Sequence, residues 1–180
     1  NGHITYSGAN SFMERTLDFF GMTLGDASPV YDNIRYDRST GQAPQYPLKG
    51  TIRSSNRGNF CDFPDMRWGS VLGRNAENSS FVIEMPFKHS MAKLIIEASR
   101  QDVSPLEDVK ITHIDFESYP EGILDIETGQ VSPSGSRQTF LLYDNTGNAV
   151  VGVDPVKLVE ECLVLPYRPA ENNNQALRIR

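Results

Sequence analysis

The sequence is short of the residues from which most catalytic and metal sites are built. It holds two cysteines, three histidines and one tryptophan among 180 residues. Cys61 and Cys162 lie 101 positions apart, and His3, His89 and His113 stand at no ligand spacing from one another or from a cysteine. That excludes a conventional zinc finger or ribbon, which needs paired ligands at short spacing. Positive charge is scarce as well: 17 Lys+Arg face 23 Asp+Glu, for a net charge of −6. A chain with a pI near 5.1 is poorly suited to broad contact with a phosphate backbone, so no nucleic-acid partner is expected. Long apolar runs are missing. The clusters Cys162-Leu163-Val164-Leu165 and Leu94-Ile95-Ile96 fall far short of the roughly 20 residues that span a bilayer, so no transmembrane segment is expected. The chain opens on Asn and shows no basic n-region followed by an apolar h-region, so no localisation is read from it directly.

Glycine and proline are plentiful, at 14 and 11, and they cut the chain into short pieces that suit strands better than helices. Phe81, Ile83, Met85 and Phe87 alternate with Val82, Glu84, Pro86 and Lys88. That predicts a strand, with Pro86 marking an edge, a bulge or an end. Met91 to Ala98 fits a strand face (Ala92, Leu94, Ile96, Ala98) or a helix face; the paired β-branched residues favour the strand. Val109 to Ser118 changes parity near Thr112-His113, which predicts a bulge. Ile123 to Glu127 reads as a short strand closed by the turn Glu127-Thr128-Gly129-Gln130. Arg137 to Asp144 and Ala149 to Val153 flank Asp144-Asn145-Thr146-Gly147-Asn148 and predict a hairpin. Leu158 to Tyr167 and Ala176 to Ile179 read as later strands; Pro155 to Glu161 allows a short helix instead. Thr16 to Leu24 and Ile34 to Tyr36 read as early strands. Residues 37–50, 54–62 and 73–80 are polar and Gly/Pro-rich, and read as loops. Many short strands with these spacings indicate one all-β antiparallel sandwich.

Catalytic motifs are sparse. Gly69-Ser70-Val71-Leu72-Gly73 has the wrong spacing for a nucleophile elbow, and no P-loop, dinucleotide fingerprint or HExxH is present. Ser90, His113 and Asp115 could form a triad only if the fold gathers them; a polar edge pair is the plainer reading. Carboxylate pairs stand at Asp62/Asp65, Asp115/Glu117, Asp125/Glu127 and Glu160/Glu161, and 23 acids produce such pairs by chance. Asp144, Asn145 and Asn148 lack the remaining carboxylates of a calcium loop and read as a turn. Asn78-Ser79-Ser80 matches a glycosylation acceptor. Phe60, Phe63 and Trp68 suit either a sugar-stacking platform or, preferably, anchors holding a long loop to the core. Cys61 and Cys162 are read either as separate buried thiols or as a disulfide, which in an exported protein would stabilise by roughly 4–5 kcal/mol through loop closure. No cofactor and no enzymatic activity are expected.

Phe87-Lys88-His89-Ser90-Met91-Ala92-Lys93-Leu94-Ile95-Ile96 resembles the F-x-H-x-(hydrophobic)-A-K-(hydrophobic) signature of the fimbrillin family, fimbrial subunits and surface lipoproteins of Bacteroides-type bacteria. Asp62-Phe63-Pro64-Asp65-Met66-Arg67-Trp68-Gly69 is similar to the family's P-D-(hydrophobic)-x-(aromatic) element. Val109 to Phe116 and Leu163-Val164-Leu165-Pro166 are similar to two later elements, in the family's order. Tyr167 departs from the family, which often has Gln there. The resemblance implies that Phe87, His89, Met91, Ala92, Lys93, Leu94, Pro64, Asp65, Trp68, Leu165 and Pro166 are structural motif positions. It implies a transthyretin-like sandwich spanning 1–180, as the first domain of a longer protein. The match covers 62–180, and 1–60 supplies an arm and early strands. It further implies lipoprotein export to the outer membrane and cell surface, with assembly by strand donation. The donor would be His3 to Ser7 or a strand beyond Arg180. Partners are then other fimbrial subunits or, for a tip adhesin using the 55–80 loop, a host or bacterial surface glycan or protein.

Overall fold

Alternation of burial along short extended segments organises the molecule. The computed structural model describes residues 16–25, 41, 43–55, 58–75, 83–101, 108–145, 150–166 and 177–179. Among these there are thirteen strands and no helix. The strands are β1 (Leu17–Leu24), β2 (Gln45–Lys49), β3 (Thr51–Ser55), β4 (Gly58–Asp62), β5 (Met66–Arg74), β6 (Lys88–His89) and β7 (Ala92–Ala98). They continue with β8 (His113–Ser118), β9 (Glu121–Asp125), β10 (Val131–Ser134), β11 (Gln138–Asp144), β12 (Val156–Val164) and β13 (Leu177–Ile179). All pairings are antiparallel, in the orders β1-β5-β6, β10-β9-β2, β11-β8-β13, β12-β7 and β3-β4. The ladders share one hydrophobic core, the construction of an antiparallel β-sandwich.

The core draws on nearly every ladder. Met66, Ile114, Leu124 and Leu165 are almost fully enclosed, and each such side chain contributes about 2 kcal/mol of transfer free energy. β7 follows the alternation expected of it: Ile96 is buried, Leu94 and Ala92 are half-buried, and Lys93, Ile95 and Glu97 are exposed. The segment read alternatively as a helix, Pro155 to Glu161, is strand from Val156 onward, because the β-branched and apolar residues of β12 pair with β7 from Val156↔Ala98 to Val164↔Ala92. The turn after β9 is held by Asp125, whose Oδ1 accepts from the amides of Glu127 and Thr128 at 2.9 Å each.

Four expectations are corrected. Residues 45–62, read largely as loop, carry β2, β3 and β4. Their signal is weak because Pro47 interrupts β2 between the buried Tyr46 and Leu48, and because Ile52, the apolar residue of β3, is exposed. The strand read over Phe81 to Lys88 joins a ladder only at Lys88–His89; Phe81 and Val82 lie outside the described residues. Pro86 has no N–H to give a ladder, and the Met85 and Phe87 side chains lie over Gly21 of β1 while the Pro86 carbonyl reaches Gly69 of β5. Among the described residues β11 forms no hairpin ladder with 150–153; 146–149 lie outside them. β11 pairs with β8, and Val151 N–H donates instead to the Val109 carbonyl at 2.8 Å. The bulge expected at Thr112-His113 lies on the partner strand, between Leu141 and Tyr143. Ile34 to Tyr36, Asn78 to Ser80, Asn148, Tyr167 and the donor candidate His3 to Ser7 lie outside the described residues.

Strand β4 positions the candidate site. Its first residue, Gly58, lies so close to β11 that a β-carbon there would overlap the Leu141 carbonyl. The approach therefore requires glycine. At its other end β4 meets β12, where Phe63 N–H donates to the Leu163 carbonyl at 2.9 Å.

Candidate functional site

The three segments that carry the sequence motifs, separated by some twenty to seventy residues, border one cleft of about 660 Å³. Asp62 comes from the end of β4, and Phe63 and Asp65 from the link to β5. His89, Met91 and Lys93 come from β6 and the start of β7, and Glu161, Cys162 and Leu163 from β12. The chain must diverge here. β4 runs beside β12, whereas β5 pairs with β6, and Ser90 N–H ties the β6–β7 link to the Met66 carbonyl at 2.8 Å. The opening between these diverging strands is the cleft. Buried Phe63, Met91 and Cys162 give it an apolar lining.

Its charged groups are compensated in pairs. Asp65 Oδ1 faces His89 Nδ1 at 2.5 Å, and Asp65 Oδ2 accepts from Arg67 at 2.7 Å. Partial burial pushes the Asp65 carboxyl up. The hydrogen bonds from His89 and Arg67 and their charge outweigh that and hold it below the usual carboxylate value. Glu161 accepts from Lys93 at 2.8 Å, with Lys157 at 4.0 Å, and that hydrogen bond with Lys93 keeps its carboxyl low. Asp62 turns away from Asp65. Its Oδ1 accepts from the Leu163 amide at 2.8 Å, and its Oδ2 meets Arg53 at 3.1 Å. The carboxylate pair Asp62/Asp65 is thus divided between two structural tasks.

Cys61 and Cys162 are both thiols, 4% and 2% exposed. Burial, and then the Asp62 charge, pushes Cys61 up to about 11. Burial, Asp62 and Cys61 together push Cys162 to about 11. Both are poor nucleophiles in this state, since the thiolate is the reactive form.

The aromatic set is spent on the core. Phe60 and Phe63 are buried. Trp68 donates its indole N–H to the Ile126 carbonyl at 2.8 Å. Its ring lies against Gly129, whose φ of +71° suits glycine and where a β-carbon would overlap the ring. The anchoring reading therefore describes these residues, and they present no stacking platform.

The remaining motif positions are dispersed. Leu165 is buried beneath Gly122, whereas Pro166 and Phe87 are exposed. Pro64 accepts from the Met66 amide at 2.7 Å and sets the corner into β5. Ala92 and Leu94 pack at the core margin. Ser90, His113 and Asp115 are not gathered. Ser90 belongs to the β6–β7 link, and His113 of β8 faces Asp144 at 3.5 Å. Among the described residues no group of three or more His, Cys, Asp or Glu is placed to hold a metal ion, and no helix is long and apolar enough to cross a membrane. Arg53, Arg67 and Lys157 were missed by sequence reasoning: Arg53 reaches Asp62 across the β3–β4 ladder, whereas Arg67 and Lys157 pair locally with Asp65 and Glu161, at spacings that many charged residues share by chance.

In comparisons with known proteins, no family model, no curated protein and no solved structure matches the chain.

Proposed function

We propose that this domain is a non-enzymatic structural subunit or accessory domain of a bacterial cell-surface fimbria, joined to its neighbours by β-strand donation. The observation that carries the reading is the outer edge of β7. Among the described residues β7 pairs with β12 alone, and Ile95 stands 45% exposed beside Lys93 and Glu97 on its solvent face. An edge of this kind binds a foreign strand through main-chain hydrogen bonds, with side-chain contacts supplying selectivity. The ordered motif resemblance adds the biological context: export as a lipoprotein, an outer-membrane location, related subunits as partners and a transthyretin-like arrangement of the sandwich. The chemistry of the cleft is compatible with this role, because its carboxylates are engaged with cations and burial pushes the Cys162 thiol up, away from the reactive thiolate. The tip-adhesin alternative has less support, since Phe60 and Phe63 are buried, the Trp68 ring lies against Gly129, and the described residues 58–74 are largely β4 and β5.

Electron microscopy of the protein as its host exports and processes it tests the reading. Filaments are expected. Particles that stay monomeric where related subunits polymerise would refute it.

A further inference from the structure

The two cysteines are the feature that the assembly reading leaves unused. They lie on different strands, far apart in sequence, yet the fold carries both to one seam. Cys61 is one residue before Asp62, and Cys162 is one residue before Leu163. Those two following residues are joined by the Leu163 N–H to Asp62 Oδ1 bond at 2.8 Å. A second bond, Phe63 N–H to the Leu163 carbonyl at 2.9 Å, fixes the same junction. Both sulfurs point inward: Cys61 Sγ fills the space over the Gly50 α-carbon, and Cys162 borders the cleft beside Phe63. The Asp62 charge acts on both thiols, and Cys61 acts on Cys162.

We infer that Cys61 and Cys162 form a disulfide cross-link site that joins β4 to β12 and that is set while the chain folds. The chemistry is thiol–disulfide exchange with an external disulfide, small or protein-borne. The thiolate of one cysteine attacks the donor, forming a mixed disulfide and releasing one donor thiol. The second thiolate then attacks the protein sulfur of that mixed disulfide and releases the second donor thiol. The two cysteine protons leave with the two thiolates, the cysteine sulfurs are oxidised, and the donor disulfide is reduced by two electrons.

Timing follows from burial. With thiols near 11, the thiolate fraction at neutral pH is about 10⁻⁴, against a few per cent for an exposed cysteine. Access to a donor is also blocked at 4% and 2% exposure. Exchange is therefore fast in the unfolded or partly folded chain and slow once β4 has docked on β12. The redox state present at docking persists.

The test uses the chain in two arms under one glutathione redox buffer at pH 7.5. In the first arm the reduced chain is refolded from denaturant into the buffer. In the second the folded, reduced chain is placed in it directly. Intact mass and thiol titration in denaturant are read over time. In the first arm a monomer lighter by about 2 Da with no titratable thiol is expected. In the second arm the same product is expected at least about 100-fold more slowly. The oxidised monomer should melt about 10 °C above the reduced one, through closure of the long loop. A refolded monomer that keeps both thiols, or carries glutathione on each, overturns the cross-link. Equal rates in the two arms overturn its setting during folding. These readouts need no substitution, so they stand even if Cys61→Ser or Cys162→Ser fails to fold.

Discussion

The ladder of β12 and β7 has two outer edges, finished in opposite ways. On the β12 side the chain closes the edge: Phe63 donates to the Leu163 carbonyl, and the Asp62 side chain supplies an acceptor for the Leu163 amide. A carboxylate there takes the place of a backbone carbonyl. On the β7 side no described residue pairs with the edge, and the exposed face alternates Lys93, Ile95 and Glu97. The difference shows how one sheet can be both anchored and open. The buried edge needs partners because a desolvated amide is costly when left alone. The solvated edge can leave its groups to water.

The largest expected effect lies on the shared core of this ladder. Ile96→Ala removes a buried side chain between the two edges and should destabilise by about 2–5 kcal/mol. Leu94→Ala should cost less, because Leu94 is only half-buried. Denaturant unfolding that ranked Leu94 above Ile96 would break the face assignment of β7.

The closed edge is next. Asp62→Ala leaves the Leu163 amide without its acceptor and should destabilise by about 1–3 kcal/mol. Asp62→Asn keeps a carbonyl acceptor in place and should recover part of that loss. Equal effects of the two substitutions in chemical denaturation would assign the role to the Arg53 ion pair instead.

A smaller effect is expected at the cleft rim. His89→Gln removes one partner of the partly exposed Asp65 and should cost under about 1 kcal/mol. Asp65 is held below its ordinary value in the folded state. Its contribution is therefore present above the unfolded-state carboxyl value and is lost as pH falls through the lower folded-state value. Stability of the wild type and His89→Gln, measured between about pH 2 and 6, should differ most at the upper end and converge at the acid end. Curves that stay parallel throughout would sever the link to Asp65.

At the open edge the smallest change in stability accompanies the largest change in association. Ile95→Lys should leave the melt within about 0.5 kcal/mol, as an exposed substitution, and should reduce filament formation through added edge charge. Unchanged filaments would move strand donation to another edge.

Particular residues show how much of this was legible beforehand. The inward parity of Ile96 and outward parity of Lys93 and Ile95 could be read directly, since alternation is a local property of an extended chain. The turn at 127–130 was legible from Thr128-Gly129. β3 was not, because Ile52 is exposed and its neighbours are polar. Nor was the passage of Met85 and Phe87 over Gly21, which depends on space left by a residue more than sixty positions away. In the cleft, His89 and Asp65 were visible as separate motif positions. Their direct pairing, and the engagement of Asp62 with Arg53 and Leu163, were not.

The scarcity of His and Cys, the acidic balance and the short alternating segments were enough to determine an all-β chain without conventional zinc-site spacing. They also determined which side of β7 faces the core. Tertiary structure alone decided which strands pair, that β11 joins β8 instead of the segment after it, that three motif segments border one cleft, and that two remote cysteines reach one seam. The physical reason is range. Periodicity and turn chemistry act over a few residues, whereas pairing is selected by buried amides and carbonyls that must find partners wherever the packed chain presents them.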